Sequence, residues 1–278
     1  MTITMFSLIL GSAAIGAGFL GSLTGLGGGI IIVPLLTLVF GVDIHYAIGT
    51  SLITVIATSS GAATAFAKDG YAKIRAGMFL EIGATLGALA GTMVTAVLSP
   101  SLVAVIFGAV LMYSALSTLY HKQKKPAKPD PGKLPEIMRM NGSYPTPTGQ
   151  KQYALRYIPG GLAVTTIGGI LSGILGIGSG AIKVIAMDQI MQMPFKVSAA
   201  TSNFMIGVTA AAGAGIYLHK GYIDPGLAVP VMLGVLAGSL VGGRLLTKAK
   251  TSWLRVLFAV TIAILGFEMI RKGFTGNF

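Results

Sequence analysis

Apolar stretches without a single charged residue recur along almost the whole chain, 7–41, 83–117 and 199–218 among them. About 20 such residues suffice to cross the hydrocarbon core of a bilayer as a helix. Charged residues make up 10% of the chain, against about 25% in an ordinary soluble domain. A water-soluble fold is therefore excluded, and a polytopic helical membrane protein is expected. The first apolar stretch, 3–20, has no basic residues ahead of it and runs into a glycine cluster without a cleavage site. It reads as a first membrane segment, not a secretory signal.

The net charge of +12 does not point to nucleic acid, because eight of the twenty Lys and Arg residues fall between His121 and Arg156 and many others flank apolar segments. That distribution suits cytoplasmic loops. Cysteine is absent, which removes disulfides, thiolate metal sites and cysteine nucleophiles.

A shift of 151 residues lays one half of the chain on the other without a gap from about Phe6 to Tyr120. Gly25, Gly27 and Gly29 fall on Gly176, Gly178 and Gly180, and Thr50-Ser51 falls on Thr201-Ser202. Gly70-Tyr71 meets Gly221-Tyr222, and the series Gly83, Gly87, Gly91 meets Gly234, Gly238, Gly242. Unrelated apolar segments would drift out of register over such a length. The expected organisation is an N-terminal membrane unit at 1–120, a basic Pro- and Lys-rich cytoplasmic linker at 121–154 and a C-terminal unit at 155–278.

Turn residues divide each unit into five apolar segments, near 3–22, 25–41, 46–67, 76–98 and 101–120, then 155–173, 176–191, 197–218, 226–247 and 252–270. An odd number of crossings per unit would invert one copy relative to the other, an architecture common among secondary transporters. A re-entrant second segment would leave four crossings per unit. With the linker inside, Lys68, Lys73, Arg75, Lys196, Lys248 and Lys250 fall inside as well, whereas Lys220, Arg271 and Lys272 disagree.

Chemistry concentrates at a few places. The clusters Gly25-Leu26-Gly27-Gly28-Gly29 and Gly176-Ile177-Gly178-Ser179-Gly180 open the second segment of each unit. Polyglycine resists helix formation, so exposed backbone amides at membrane depth are expected, which only protein or a wet cavity can satisfy and which favour an anion. Gly27, Gly28, Gly29, Gly178, Ser179 and Gly180 are the candidate backbone ligands. Thr50, Ser51, Thr201, Ser202 and Asn203 open the third segments and are expected either to cap a helix or to donate to a ligand oxygen.

Lys183 lies in a segment free of other charge until Asp188. A lysine at that depth is costly and needs a partner, either the anion or Asp188. Glu81 and Glu268 also sit in apolar segments and are candidates for proton exchange. The glycine ladders repeat every four residues, so each lies on one helix face and is expected to pack against a neighbouring helix or a second copy of the chain.

These residues together resemble the sulfite exporter TauE/SafE family, also called the toluene sulfonate uptake permeases. The clusters GLGGG with Pro34 and GIGSG with Lys183, the Gly-Thr-Ser and Ala-Thr-Ser-Asn openings and the basic linker carry the resemblance, which covers both halves. It implies movement of sulfite, sulfonates, sulfoacetate or a related anion, in either direction. Ser179 departs from glycine, and Ile185 stands where a second proline would match Pro34.

The reading is a cell-membrane secondary transporter that carries a small anion by alternating access, with no cofactor and no metal. An anion channel and a carrier of a non-sulfur organic anion remain open. No P-loop or HExxH occurs, and the three histidines are scattered, so neither ATP coupling nor an intramembrane enzyme is expected.

Overall fold

The structure is a computed structural model that describes residues 3–24, 28–68, 73–95, 97–120, 142–146, 149–246 and 251–276. Gly25, Gly27, Gly70, Tyr71, Lys248, Lys250 and the linker up to 141 lie outside the described residues. The molecule is an all-α membrane protein. In the first half, α1 spans Ile3–Thr24, α2 Gly29–Pro34, α3 Ile44–Lys68, α4 Ile74–Thr95 and α5 Pro100–Tyr120. In the second, α6 spans Ile158–Leu175, α7 Gly180–Ile185, α8 Phe195–His219, α9 Pro225–Leu246 and α10 Thr251–Thr275.

By length and composition, Ile74–Thr95, Ile158–Leu175 and Val197–His219 are apolar enough to cross a membrane. Shorter apolar helices occupy Met5–Gly21, Pro100–Leu116 and Pro225–Val241.

The glycine-rich second segments are short and broken in both halves. Gly176 ends α6 with φ +68°, and Gly178 and Ser179 follow at +71° and +51°, a left-handed backbone that no helix can continue. α2 passes at Pro34 into a π-helical turn, Leu35–Val39, and α7 passes into the same kind of turn, Ala186–Ile190. Ile185 therefore does not alter the break. The turn is closed by the Val42 amide on the Leu36 carbonyl at 3.0 Å and by the Met193 amide on the Met187 carbonyl at 2.8 Å. Proline is dispensable for it.

Close contacts fix how the helices pair. Gly11 faces Pro230 and Gly234, and Ile15 faces Gly238, so α1 and α9 run the same way. Leu162, Thr166 and Ile170 face Gly83, Gly87 and Gly91, which makes α6 parallel to α4. α3 opposes α8, with Gly49 against Tyr222, Leu52 against Gly213 and Ser59 against Gly207. α5 opposes α10, with Gly108 against Gly266 and Val105 against Gly273.

A Cβ at Gly87, Gly91, Gly234 or Gly238 would overlap backbone of the facing helix, and one at Gly83 would meet the Thr166 hydroxyl and Leu162. These faces are filled from within the chain and leave no such surface for a second copy. The side chain position at Gly242 lies outside the described residues.

The linker carries structure of its own. Gly142–Thr146 (β1) pairs antiparallel with Gly149–Tyr153 (β2). Tyr153 is 2% exposed and packs with Ala76, Leu80, Met187 and Met191. Burial pushes its phenol well above the ordinary range. The hairpin thus seats on the end of the bundle where α4 and α8 begin.

Candidate functional site

The two broken segments meet between α3 and α8. A Cβ on Gly29 would lie 2.7 Å from the Ser51 hydroxyl and 3.2 Å from the Gly176 carbonyl oxygen. Ser51 donates to that carbonyl at 2.8 Å and stands 3.2 Å from the Gly29 carbonyl. Ser202 donates to the Gly180 carbonyl at 3.1 Å. Both hydroxyl protons are thus committed to backbone in this state. Gly28 faces Val235 and Thr58, and Gly178 faces Ile206 and Val55. The Ile31 and Ile32 amides bond the Gly28 carbonyl and the Lys183 amide bonds that of Ser179, so these amides are not offered to a ligand.

The threonines that precede the two serines lie at opposite ends of the α3–α8 pair. Thr201 accepts from the Lys73 amide at 3.0 Å, at the hairpin end. Thr50 follows Gly49, which abuts Tyr222 at the other end. Thr50 and Ser179 are buried with hydroxyl oxygens that lack a hydrogen-bond partner among the described residues, and buried hydroxyls ordinarily have one. Asn203 is buried on α8.

The ionic centre is an ion pair between halves. Lys183 is 0% exposed, and its Nζ lies 2.8 Å from Glu81 Oε2. Thr209 closes the group: its hydroxyl accepts from Lys183 Nζ and donates to Glu81 Oε1. α4, α7 and α8 each supply one member. Gly77 makes this possible, because its missing side chain lets α4 approach the Thr201 methyl and Met205 of α8. The partner of Lys183 is thus Glu81 and not Asp188. Glu268 has a different setting, for it pairs with Arg271 at 3.0 Å on the exposed face of α10.

A family model for the sulfite exporter TauE/SafE matches residues 10–269. The chain belongs to the TauE/SafE family. It is 28% identical over 265 residues to the probable membrane transporter protein YunE of Bacillus subtilis, covering 92% of this chain and 94% of that protein. It is also 26% identical to the probable membrane transporter protein YdhB of the same organism (91% of this chain, 94% of that one). A probable membrane transporter protein of Methanocaldococcus jannaschii, MJ0441, is 24% identical, with 91% of each chain covered. No solved structure matches. The protein is a membrane transporter.

Sequence reasoning about this TauE/SafE transporter named Lys183 and Glu81 separately and passed over Thr209. A usable sign was present in the repeat. At the shift of 151 residues, Lys183 corresponds to Ile32, Glu81 to Met232 and Thr209 to Thr58. Two isolated opposite charges, each lacking a counterpart in the other half, are candidates to neutralise one another. Thr58 instead donates to the Thr54 carbonyl at 3.0 Å, a turn back in its own helix.

Proposed function

We propose that the protein carries a small anion across the cell membrane by alternating access, and that sulfite or an organosulfonate is the substrate class. The observation that carries this reading is Lys183, a fully buried cation beside the junction of two broken helices. A buried ion pair is weak evidence for stability as such. A charge kept at that depth suits a pathway.

Lys183 would hold the charge of the substrate. Ser179 and Asn203, both buried, and the glycine backbone at Gly28, Gly29 and Gly178 to Gly180 would supply neutral donors once the two halves move apart. A sulfonate, with three acceptor oxygens and one charge, fits a single cation surrounded by uncharged donors.

Inverted repeats are the architecture that fits this mechanism. Helix bounds recurring 151 residues apart, as at 29–34 and 180–185 or at 44–68 and 195–219, support it. So does the opposed sense of α3 against α8 and of α5 against α10. Lys73, Arg75, Lys151 and Arg156 lie on the hairpin or at the adjoining starts of α4 and α6, and that positive charge supports a cytoplasmic placement of this end.

A thermal-shift screen of the detergent-purified protein tests the reading. A ligand bound only by the native state raises the apparent melting temperature. Sulfite, methanesulfonate or sulfoacetate is expected to raise it, with chloride and acetate inert. Stabilisation by metal cations and by no anion would reverse the sign of the substrate.

A further inference from the structure

On that reading, we infer that Glu81 is the coupling carboxylate: the substrate anion takes its place on Lys183, and one proton then binds Glu81. The geometry leads there directly. Lys183 Nζ has two protein partners among the described residues, Glu81 and Thr209, and both are buried with it. An anion that reaches Lys183 must therefore compete with the carboxylate at 2.8 Å.

Adding a monoanion with no other change would leave two negative charges on one cation among buried side chains, which is costly. Protonating Glu81 restores neutrality. The empty site holds one cation and one carboxylate. The loaded site holds one cation, one substrate anion and a carboxylic acid.

Thr209 fits both states. With Glu81 ionised, its hydroxyl accepts from Lys183 and donates to Oε1. With Glu81 protonated, the same oxygen can accept the carboxylic acid proton, so the acid is not left unsatisfied. Thr85 adds a hydroxyl 3.4 Å from Oε1.

Other ionisable groups sit farther along the elements that pack here. α6 carries none. On α8, Lys196, Tyr217 and His219 lie near its two ends. The π turn after α7 holds Asp188, β2 brings Tyr153 against Leu80, and Arg75 lies six residues before Glu81 on α4. Among the described residues, Lys183 is the ionisable group in contact with Glu81.

Both states of the site are neutral, so a monovalent anion should cross with one proton and without net charge. The test is titration calorimetry of the purified protein with methanesulfonate, the anion of a strong acid that takes up no proton itself, in two buffers of different ionisation enthalpy. The native protein is expected to take up about one proton per anion and to lose affinity about tenfold per pH unit as pH rises through the range where binding takes up that proton. Glu81→Gln should bind without proton uptake and without that pH dependence.

Binding by the native protein with no proton uptake would overturn the coupling and leave the anion site standing. Uptake that persists in Glu81→Gln would assign the proton elsewhere and overturn it too. If neither methanesulfonate nor sulfite binds the native protein, the anion reading fails and the coupling with it. The native measurement decides the matter even where the variant does not fold.

Discussion

Lys183→Ala is expected to destabilise the protein by about 3–5 kcal/mol, because it strands the Glu81 carboxylate in a buried site with only the Thr209 and Thr85 hydroxyls in place of an ammonium. A carboxylate left without its cation must either be buried charged or take up a proton, and both cost free energy. The loss is read as a fall in the midpoint of unfolding in detergent. Without knowledge of Glu81, Lys183→Ala looks like a clean probe of anion binding. With Glu81 2.8 Å away, loss of binding in that variant could reflect loss of the fold.

The informative partner is the double variant Glu81→Met with Lys183→Ile, which installs the residues found at the equivalent positions 232 and 32. It removes both charges and restores apolar volume, and replacement of a buried pair in this way is often neutral or stabilising. The double variant should therefore melt near the native temperature and fail to bind anions. A single Lys183→Ala variant that melts like the native protein would show that Glu81 does not depend on it.

Gly169→Val and Gly18→Val should be more damaging still. A Cβ at Gly169 would overlap the Ala84 carbonyl oxygen of α4, and one at Gly18 the Val235 carbonyl oxygen of α9. Ordinary overpacking costs about 1–3 kcal/mol because side chains can shift. Here the obstacle is the backbone of a neighbouring helix, so two helices must separate along their length. The expected result is no monodisperse peak in size-exclusion chromatography. Gly16→Ala and Gly215→Ala are the controls, since nothing lies within 4 Å of either added Cβ, and both should purify as the native protein does. Equal behaviour of all four variants would contradict the close packing.

Much of this architecture is legible in the sequence because membrane helices write their limits in turn residues. Segments expected at 46–67 and 197–218 are α3 and α8 within a few residues. The glycine ladders were readable because a repeat every four residues can serve only one helix face. What covers that face was not readable, since a small residue records that something approaches and not what approaches. α1 and α6, not a second copy, fill those faces.

The break after α7 was obscured for a different reason. A proline marks it in one half, but the π turn is closed by the Val42 and Met193 amides on the Leu36 and Met187 carbonyls, bonds in which neither Pro34 nor Ile185 takes part. The hairpin at 142–153 escaped notice because lysine and proline dominate the linker composition, whereas its seat depends on the buried ring of Tyr153, with Tyr144 packed beside it.

The candidate site was legible in part. Ser51, Gly29 and Gly176 share one region, as their matched positions in the two halves suggest. Thr50 and Thr201 are separated because α3 and α8 run in opposite senses, which sends equivalent residues at their starts to opposite ends. The pairing of Glu81 with Lys183 crosses 102 residues of sequence, and periodicity carries no information about such a contact.

Counterflow in proteoliposomes tests the transport mechanism most directly. Vesicles loaded with unlabelled sulfite are diluted into a trace of labelled sulfite, with membrane potential clamped to zero. A carrier that alternates access exchanges the label inward against the outgoing pool, so labelled sulfite should rise transiently above its final level and then decline. The Glu81→Met with Lys183→Ile variant should show no such overshoot. A monotonic approach to equilibrium in the native protein, at a rate independent of the internal load, would describe a channel and contradict the account.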